Sequence, residues 1–208
     1  MKIDLFLPKF KLYDFDDRRS GALARLIFTV ANIPYEDIII NHEEQWDALK
    51  NETPLGTLPI LEIDGMKMNG QTAICRHLAW RFGLSGQSAA SDFLLDMFAD
   101  MLFEAQILFS GTMTDVTERR TNCLTTDNME LVEIVQRTLS VIEKQLNTNN
   151  SSYIIGEEIT WVDLMIYTFF NTIMEQGKDI ILDRYPLTKK MYQRILHTLQ
   201  LLQKSQNS

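Results

Sequence analysis

The pair Asp64-Gly65, which separates two short strand-like runs, constrains the fold of this chain more than any other feature. The stretch TLPILEIDGMKM, residues 57–68, has apolar residues on both sides of this pair. Asp-Gly in such a setting is the strongest short signal for a two-residue hairpin turn. The sequence therefore predicts an antiparallel β-hairpin. Pro59 lies at the entrance of its first strand, where a missing N–H is tolerated and a cis peptide bond can form.

The segment before the hairpin is typical of a strand, a helix and a second strand. Residues 10–15 alternate as a strand does, and the run YEDIII ends at Ile40 and fits a buried parallel strand. Asp16 and Asp17 are placed to cap the intervening helix, and Pro34 ends it. The apolar positions of that helix, at helical spacing, are Leu23, Leu26, Ile27, Val30 and Ala31. Together these elements predict a βαβ unit.

A further helix follows the hairpin. The stretch QTAICRHLAWRFG has helical spacing, with Gly83 at the position after its last turn. Residues 41–56 are polar and punctuated by Pro54 and Gly56, so we interpret them as a connection. The resulting order β-α-β-β-β-α is that of a thioredoxin-like domain.

The rest of the chain is predicted to be helical. The segment LSGQSAAS, residues 84–91, is small and polar, and we interpret it as a linker. Four helical segments follow, of which one begins with Thr160-x-x-Asp163, a capping-box-like start. The prediction is an α+β chain of two domains. A thioredoxin-like βαβ-ββα domain spans residues 1–83, and an all-helical domain spans residues 92–208.

Composition excludes several classes of function. The formal net charge of −8 argues against binding to nucleic-acid phosphates and to anionic membranes. No stretch reaches the roughly 20 apolar residues of a membrane span. The apolar run at the N-terminus is short and broken by Asp4 and Pro8, so no signal peptide is predicted.

The cysteines and histidines further limit the kinds of functional site that the sequence predicts. Cys75 and Cys123 are far apart and form no C-x-x-C pair, which indicates a reducing compartment, such as the cytoplasm, and no dithiol redox site. Cys75 lies among apolar residues of a predicted helix and is interpreted as a buried apolar side chain. The histidines show no metal-ligand spacing, so no metal site is predicted. They are His42, His77 and His197.

Three stretches, LPILEIDG, AICRHLAWRFGL and IIGEEITWVDL, resemble the cytosolic glutathione transferases, and the sigma class most closely. That class includes prostaglandin D synthases and S-crystallins. The similarity covers nearly the whole chain from residue 10 onward. It implies a cytoplasmic, homodimeric enzyme that binds glutathione and a small apolar electrophile, which it conjugates or isomerises. The alternative is a catalytically degenerate relative with a ligand-binding or structural role.

The resemblance directs attention to the end of the first strand. Conjugation needs a thiolate, which a positioned hydroxyl stabilises. In sigma-like relatives a tyrosine in the context K-L-x-Y-F supplies it. Here an alignment without gaps puts Asp14 in that slot and Tyr13 one position earlier, and neighbours in a strand face opposite sides. Two interpretations stay open: Tyr13 is the catalytic residue, re-aimed by a bulge, or Tyr13 packs on the sheet and Asp14 caps the next turn.

The resemblance also implies residues for the glycine and cysteine parts of glutathione. Trp46 and Lys50 match loop positions that contact the glycine end, where Lys50 would supply a point charge for a carboxylate. Leu58 and Pro59 match the segment whose backbone pairs with the cysteinyl unit. The alternative to a binding role is that Lys50 is a surface lysine, Trp46 is a partly buried side chain and Pro59 is a turn residue.

The γ-glutamyl end departs from the family pattern. Relatives carry Q-S-x-A-I at the start of the second helix of the domain, where this chain has Gly70, Gln71 and Thr72 followed by Ala-Ile. Gln71 and Thr72 remain the candidates to bind the glutamyl carboxylate, as helix N-termini do. The family's arginine after the first strand is also displaced. Ser20 stands in its place, after Arg18 and Arg19.

One candidate comes from the helical half. Acidic residues recur every four positions and lie on one helical face, ending at Glu104. In sigma-like relatives the acid at this position reaches the glutamyl amine bound in the partner subunit. The other interpretation is a solvated stripe. The members of this stripe are Asp92, Asp96, Asp100 and Glu104.

Overall fold

A computed structural model of the chain divides into two compact units, Met1–Gly83 and Leu84–Ser208. The residues that the structure describes are 8–15, 20–41, 43–111, 129–174 and 179–206.

The first unit contains a four-stranded sheet with helices, and it confirms the predicted thioredoxin-like domain. The sheet order is β2-β1-β3-β4, with β1 and β2 parallel and the other two pairs antiparallel. Helices α1 and α3 pack together, and the fully buried core includes Leu12, Ile27, Leu61 and Leu78. The elements are β1 Phe10–Phe15, α1 Ala22–Ala31, β2 Glu36–Ile40, α2 Glu43–Lys50, β3 Ile60–Ile63, β4 Met66–Asn69 and α3 Gln71–Phe82.

The predicted hairpin is present, with the backbone that its turn requires. Asp64 and Gly65 have φ of 49° and 89°, as both central residues of a type I′ turn must have positive φ. The Leu58-Pro59 peptide bond is cis. Gly83 ends α3 in the left-handed conformation with φ of 76°, as the sequence predicts.

The connection over residues 41–56 was predicted wrongly in part. Helix α2, Glu43–Lys50, lies within it. The segment EEQWDALK consists mostly of good helix formers, but it has too few apolar residues to produce a recognisable apolar face. The intrinsic helix propensity of this segment indicates the helix, whereas its apolar periodicity does not.

Two further details of this unit differ from expectation. Strand β2 is an edge strand, and only Ile40 of its five residues is buried, so it is less covered than the β-branched run indicated. Helix α1 begins after Gly21, which gives no side-chain cap. Asp16 and Asp17, the predicted caps, lie outside the described residues.

The second unit is helical, as predicted. Helix α4 packs on α5 and α6, and α7 packs on α5 and α6. Helix α4 begins at Ala89, inside the segment expected as a linker. Thr160 and Asp163 form the predicted cap at the start of α6. The elements are α4 Ala89–Gly111, α5 Met129–Asn149, α6 Trp161–Met174, a 3-10 turn Asp179–Arg184 and α7 Pro186–Gln206.

Helix α7 receives its N-terminal cap from another helix. The carboxylate of Glu143 in α5 accepts hydrogen bonds from the backbone N–H of Leu187 at 2.9 Å and of Thr188 at 2.9 Å. The hydroxyl of Thr188 donates to the same carboxylate at 2.6 Å. None of the helices in the described ranges has the length and hydropathy of a membrane span.

Candidate functional site

The strand register collects most of the predicted site residues at one end of the sheet. Tyr13 near the end of β1 pairs with Ile60 at the start of β3, and Ile60 pairs with Asn69 at the end of β4. Phe15 pairs with Ile40, the last residue of β2. The carboxyl ends of β1, β2 and β4 therefore meet the beginning of β3, and we call this region the carboxyl end of the sheet.

Helix α2 begins directly after β2 and so lies at this carboxyl end. The ring of Trp46 contacts that of Phe15 edge-on, with 5.9 Å between centroids. Lys50, in the last turn of α2, donates to Asp47 at 2.5 Å and is half-buried. An ammonium group held here is able to pair with a carboxylate.

The loop before β3 is tied to the end of β4 by one side chain. Asn69 donates through Nδ2 to the carbonyl of Thr57 at 2.5 Å and accepts from the N–H of Leu55 at 3.4 Å. Pro59 is buried and Leu58 is half-buried. Asn69 was not recognised from the sequence, because an amide at a strand end has no distinctive spacing.

Helix α3 begins at this end of the sheet without a side-chain cap. Its N-cap is Gly70, with φ of 95°, which has no side chain to accept a hydrogen bond from the first turn. Gln71 and Thr72 are the first two helical residues, and both are half-buried. Free backbone N–H groups and the helix dipole favour an anion at such a position.

The hydroxyl of Tyr13 is hydrogen-bonded to another side chain. Its hydroxyl donates to Oε2 of Glu62 at 2.8 Å, and Glu62 also pairs with Lys11 at 3.7 Å. Burial, followed by the hydrogen bond and the negative charge of Glu62, raises the pKa of Tyr13 to about 12. The hydroxyl therefore keeps its proton at neutral pH and donates it to Glu62.

Strand β1 contains no bulge between Lys11 and Phe15, because its pairing with β2 is continuous over these residues. Side chains therefore alternate regularly, and Tyr13 and Asp14 lie on opposite faces of the sheet. The burial pattern agrees, with Leu12 and Asp14 buried and Tyr13 half-buried.

Asp14 caps the turn that leads into α1, which is the arrangement of the second interpretation. The residue is fully buried. Its Oδ1 accepts from the hydroxyl of Ser20, and its Oδ2 accepts from the N–H of Gly21 at 2.8 Å. Oδ2 also accepts from Nη1 of Arg25 at 3.0 Å. Arg18 and Arg19 lie outside the described residues.

Arg25 joins Asp14 to a second carboxylate. Its Nε and Nη2 donate to Asp37 of β2 at 3.0 Å and 2.9 Å, so the guanidinium links β1, α1 and β2. Burial acts to lower the pKa of Arg25, and the hydrogen bonds to Asp37 and Asp14 outweigh it, so the pKa is raised. The Asp14 network was missed as a site because its members are spread over 24 positions, from 14 to 37.

Glu104 lies in α4, in the second unit, and is exposed. Of the other acids in the stripe, Asp100 is exposed, and Asp92 accepts from the N–H of Gly86 at 2.7 Å, close to the start of α4. Cys75 is buried, and desolvation raises the pKa of its thiol. Within the described ranges, no three His, Cys, Asp or Glu residues group closely enough to hold a metal ion, and His42 lies outside those ranges.

Comparisons with known proteins agree with this architecture. The N-terminal domain family of glutathione S-transferases matches residues 12–86, and the C-terminal domain family matches residues 116–201. A probable glutathione S-transferase of Caenorhabditis elegans is 32% identical over 197 residues, 92% of each chain.

Two solved structures are similar over most of the chain. The glutathione S-transferase of Ascaris lumbricoides is 29% identical, with a TM-score of 0.83 over 95% of each chain. A glutathione S-transferase of the hookworm Necator americanus, described as monomeric, is 26% identical, with a TM-score of 0.81 over 90% of this chain and 91% of that one. With both domain families matched in order and a relative above 30% identity over nearly the full length, this chain belongs to the glutathione S-transferase family of enzymes.

Proposed function

We propose that the protein transfers the thiol of glutathione to small apolar electrophiles, or isomerises such compounds with glutathione as cofactor. The observation that carries the proposal is the convergence of α2, the Pro59 loop and the uncapped N-terminus of α3 at the carboxyl end of the sheet. Glutathione is a tripeptide with a carboxylate at each end. A site that binds it therefore needs a cation for one carboxylate and, at a distance from that cation, backbone amides for the other.

The groups at the carboxyl end of the sheet meet these needs. Lys50 and Trp46 are assigned to the glycine carboxylate, and the first N–H groups of α3, at Gln71 and Thr72, to the glutamyl carboxylate. The backbone of Leu58-Pro59 is assigned to the cysteinyl unit.

An apolar second substrate is consistent with the composition of the helical unit. The chain has ten methionines, of which Met97 is 48% exposed on α4. Flexible and polarisable methionine side chains adapt to ligands of varied shape. The reducing compartment indicated by the two separated cysteines supports a cytoplasmic location.

We also propose a sigma-like homodimer in which α4 forms part of the interface. Large apolar side chains on this helix are exposed, and a partner surface would cover them. Glu104 lies on the same helix and is assigned to the glutamyl amine held by the other subunit. The exposed side chains are Phe93, Leu94, Met97, Phe103, Ile107 and Leu108.

The proposal is tested by calorimetric titration of the protein with glutathione at neutral pH in several buffers, followed by a panel of electrophiles. We expect binding in the micromolar to low millimolar range, with proton release, and turnover of at least one electrophile. Absence of binding heat in every buffer would contradict the proposal and favour a non-catalytic role.

A further inference from the structure

We propose that Asn69 and Lys67 of β4 are positioning residues for glutathione, an inference that rests on the proposed function. They hold residues 51–59, which we call the site loop, in the binding conformation before the tripeptide binds. The site loop follows Lys50 and ends with Leu58-Pro59. Its shape therefore sets the distance between the groups assigned to the glycine carboxylate and to the cysteinyl unit.

Apolar burial fixes the site loop only at its far end. Every residue of the loop is described by the structure, and none lies in a helix or strand. Pro59 is buried next to β3, but residues 54–57 are exposed, and the side chain of Leu55 is 64% exposed. Ordering such a backbone costs conformational entropy that buried apolar contacts do not offset here. The middle of the loop therefore depends on hydrogen bonds.

Some of these hydrogen bonds join the loop to the end of α2. The hydroxyl of Thr53 donates to the carbonyl of Lys50 at 3.0 Å and accepts from the N–H of Gly56 at 3.2 Å. Gly56 has φ of 58°, and a Cβ built on it would lie 3.6 Å from the carbonyl oxygen of Lys50. The loop thus turns back onto the last turn of α2, so the position of Lys50 is coupled to its shape.

Asn69 ties the middle of the loop to the sheet. Its Nδ2 donates to the carbonyl of Thr57 at 2.5 Å, and its Oδ1 accepts from the N–H of Leu55 at 3.4 Å. A side-chain amide has both a donor and an acceptor, so one residue fixes two backbone positions of the loop. Asn69 is the register partner of Ile60, which directly follows the loop.

The main chain of Asn69 leads into a second binding region. The next residue, Gly70, is the N-cap of α3, whose first N–H groups are assigned to the glutamyl carboxylate. The side chain of Asn69 holds the site loop while its backbone continues into α3. Asn69 therefore sets the spacing between the region for the glutamyl carboxylate and the region for the cysteinyl unit.

Lys67 attaches the beginning of the loop to the same strand. It lies two residues before Asn69, so the two side chains are on one face of β4. Its ammonium group pairs with the carboxylate of Glu52. The side chain of Glu52 is 61% exposed, so the pair adds little to global stability. Its effect is local, because it holds the first residues of the loop against β4.

A loop that is ordered in the free protein spares glutathione the cost of ordering it. Loss of that order weakens the binding of the substrate and of the transition state equally. Kinetically, such a loss raises the KM for glutathione and leaves kcat unchanged.

The test measures glutathione affinity by calorimetry and steady-state kinetics in Asn69→Ala. Its KM and dissociation constant for glutathione rise about three- to tenfold, the factor expected when the hydrogen bonds of one side chain are lost, while kcat stays within about twofold. Trypsin cleaves the free variant after Lys50 faster than it cleaves the unmodified protein, because the loop that follows is less ordered.

Asn149→Ala is the matched control. Asn149 in α5 also holds a loop through its side chain, since its Nδ2 donates to the carbonyls of Tyr153 at 3.0 Å and Gly156 at 2.9 Å. This variant loses stability in urea unfolding, but its KM for glutathione is unchanged. A rise in KM that is confined to Asn69→Ala is therefore not an effect of lower stability.

The variants Lys67→Met and Glu52→Ala separate positioning from direct electrostatics. Both raise the KM about twofold, because each breaks the attachment of the loop. Direct electrostatics on glutathione, which has a net negative charge, would raise the KM in Lys67→Met and lower it in Glu52→Ala. Lys189→Met, which removes an exposed ion pair with Asp183 in the second unit, leaves the KM unchanged.

The outcomes keep the two proposals separate. If the unmodified protein binds glutathione and Asn69→Ala binds it equally tightly, or loses kcat instead of affinity, the inference is overturned and the proposed function stands. If the unmodified protein binds no glutathione, both are overturned. Circular dichroism checks folding, and if Asn69→Ala fails to fold, the direction of the KM change in Glu52→Ala decides.

Discussion

Tyr13 and Glu62 are joined across β1 and β3 by a hydrogen bond of 2.8 Å, in which the phenol donates to a carboxylate that is only 13% exposed. This bond lies on the face of the sheet opposite to Asp14. Tyr13, the tyrosine nearest to the expected catalytic position, therefore links two strands of the sheet.

The first prediction concerns Tyr13→Phe. Removal of the hydroxyl should leave kcat/KM for conjugation within about twofold, because the phenol already donates to Glu62 on the face of the sheet opposite to Asp14. It should lower the free energy of unfolding by about 1 kcal/mol, the usual contribution of such a hydrogen bond. Steady-state kinetics and urea unfolding test both parts. Sharply slower conjugation with glutathione affinity nearly intact would instead identify Tyr13 as the catalytic residue.

The second prediction concerns Lys50. Lys50→Met keeps the length of the side chain and removes its charge, so the KM for glutathione should rise about tenfold while kcat changes little. A tenfold change corresponds to about 1.4 kcal/mol, a reasonable value for a half-buried charge pair.

Asp47→Asn is the control for that variant. Asp47 holds Lys50 in the free protein, so its neutralisation should leave glutathione binding as tight or tighter. Unchanged KM in Lys50→Met would remove Lys50 from the site and leave it as a surface lysine paired within α2.

Local signals were enough to predict much of the fold. Asp64-Gly65 requires a tight turn, and the helical spacing in α1, α3 and the helical unit has one simple solution. Helix α2 was missed because EEQWDALK has helix propensity without an apolar face. The site was harder to predict, because the hydrogen-bond partner of Tyr13 is 49 positions away in the sequence and that of Arg25 is 12 positions away. Such pairs depend on strand register, which a single sequence does not reveal.

The third prediction concerns the pH dependence of stability at the start of α6. Asp163 is fully buried and accepts from the N–H of Ile154 at 2.7 Å, the N–H of Thr160 at 2.8 Å and the Thr160 hydroxyl at 2.6 Å. Desolvation raises its pKa from 3.8 to about 6, against the effect of these hydrogen bonds.

The folded protein therefore holds this proton more tightly than the unfolded chain does. The contribution of Asp163 to the free energy of unfolding is greatest below pH 3.8 and is lost as pH rises to about 6. The loss is on the order of 2 to 3 kcal/mol.

Asp163→Asn should remove this dependence. The amide stays neutral at every pH, so the stability of the variant should vary less with pH between 4 and 6, values that bracket the titration of Asp163. Because its one oxygen cannot accept all three hydrogen bonds, the variant should also be less stable at neutral pH by about 1 to 3 kcal/mol. Urea unfolding at several pH values tests this. Parallel curves for the two proteins would mean that Asp163 stays ionised throughout.

The fourth prediction concerns the exposed apolar side chains of α4. Phe93 is 70% exposed, Met97 48% and Ile107 53%, and their spacing places them along one side of the helix. If this surface forms the homodimer, Met97→Glu should produce a monomer in analytical ultracentrifugation, because a buried unpaired carboxylate costs several kcal/mol.

Leu201→Glu, at a position equally exposed on α7, should leave the dimer intact. Glutathione affinity should fall on dissociation, and it should fall similarly in Glu104→Gln, since in both cases the site lacks the partner's acid. A monomer in the unmodified protein would contradict the dimer and assign the apolar side of α4 another role.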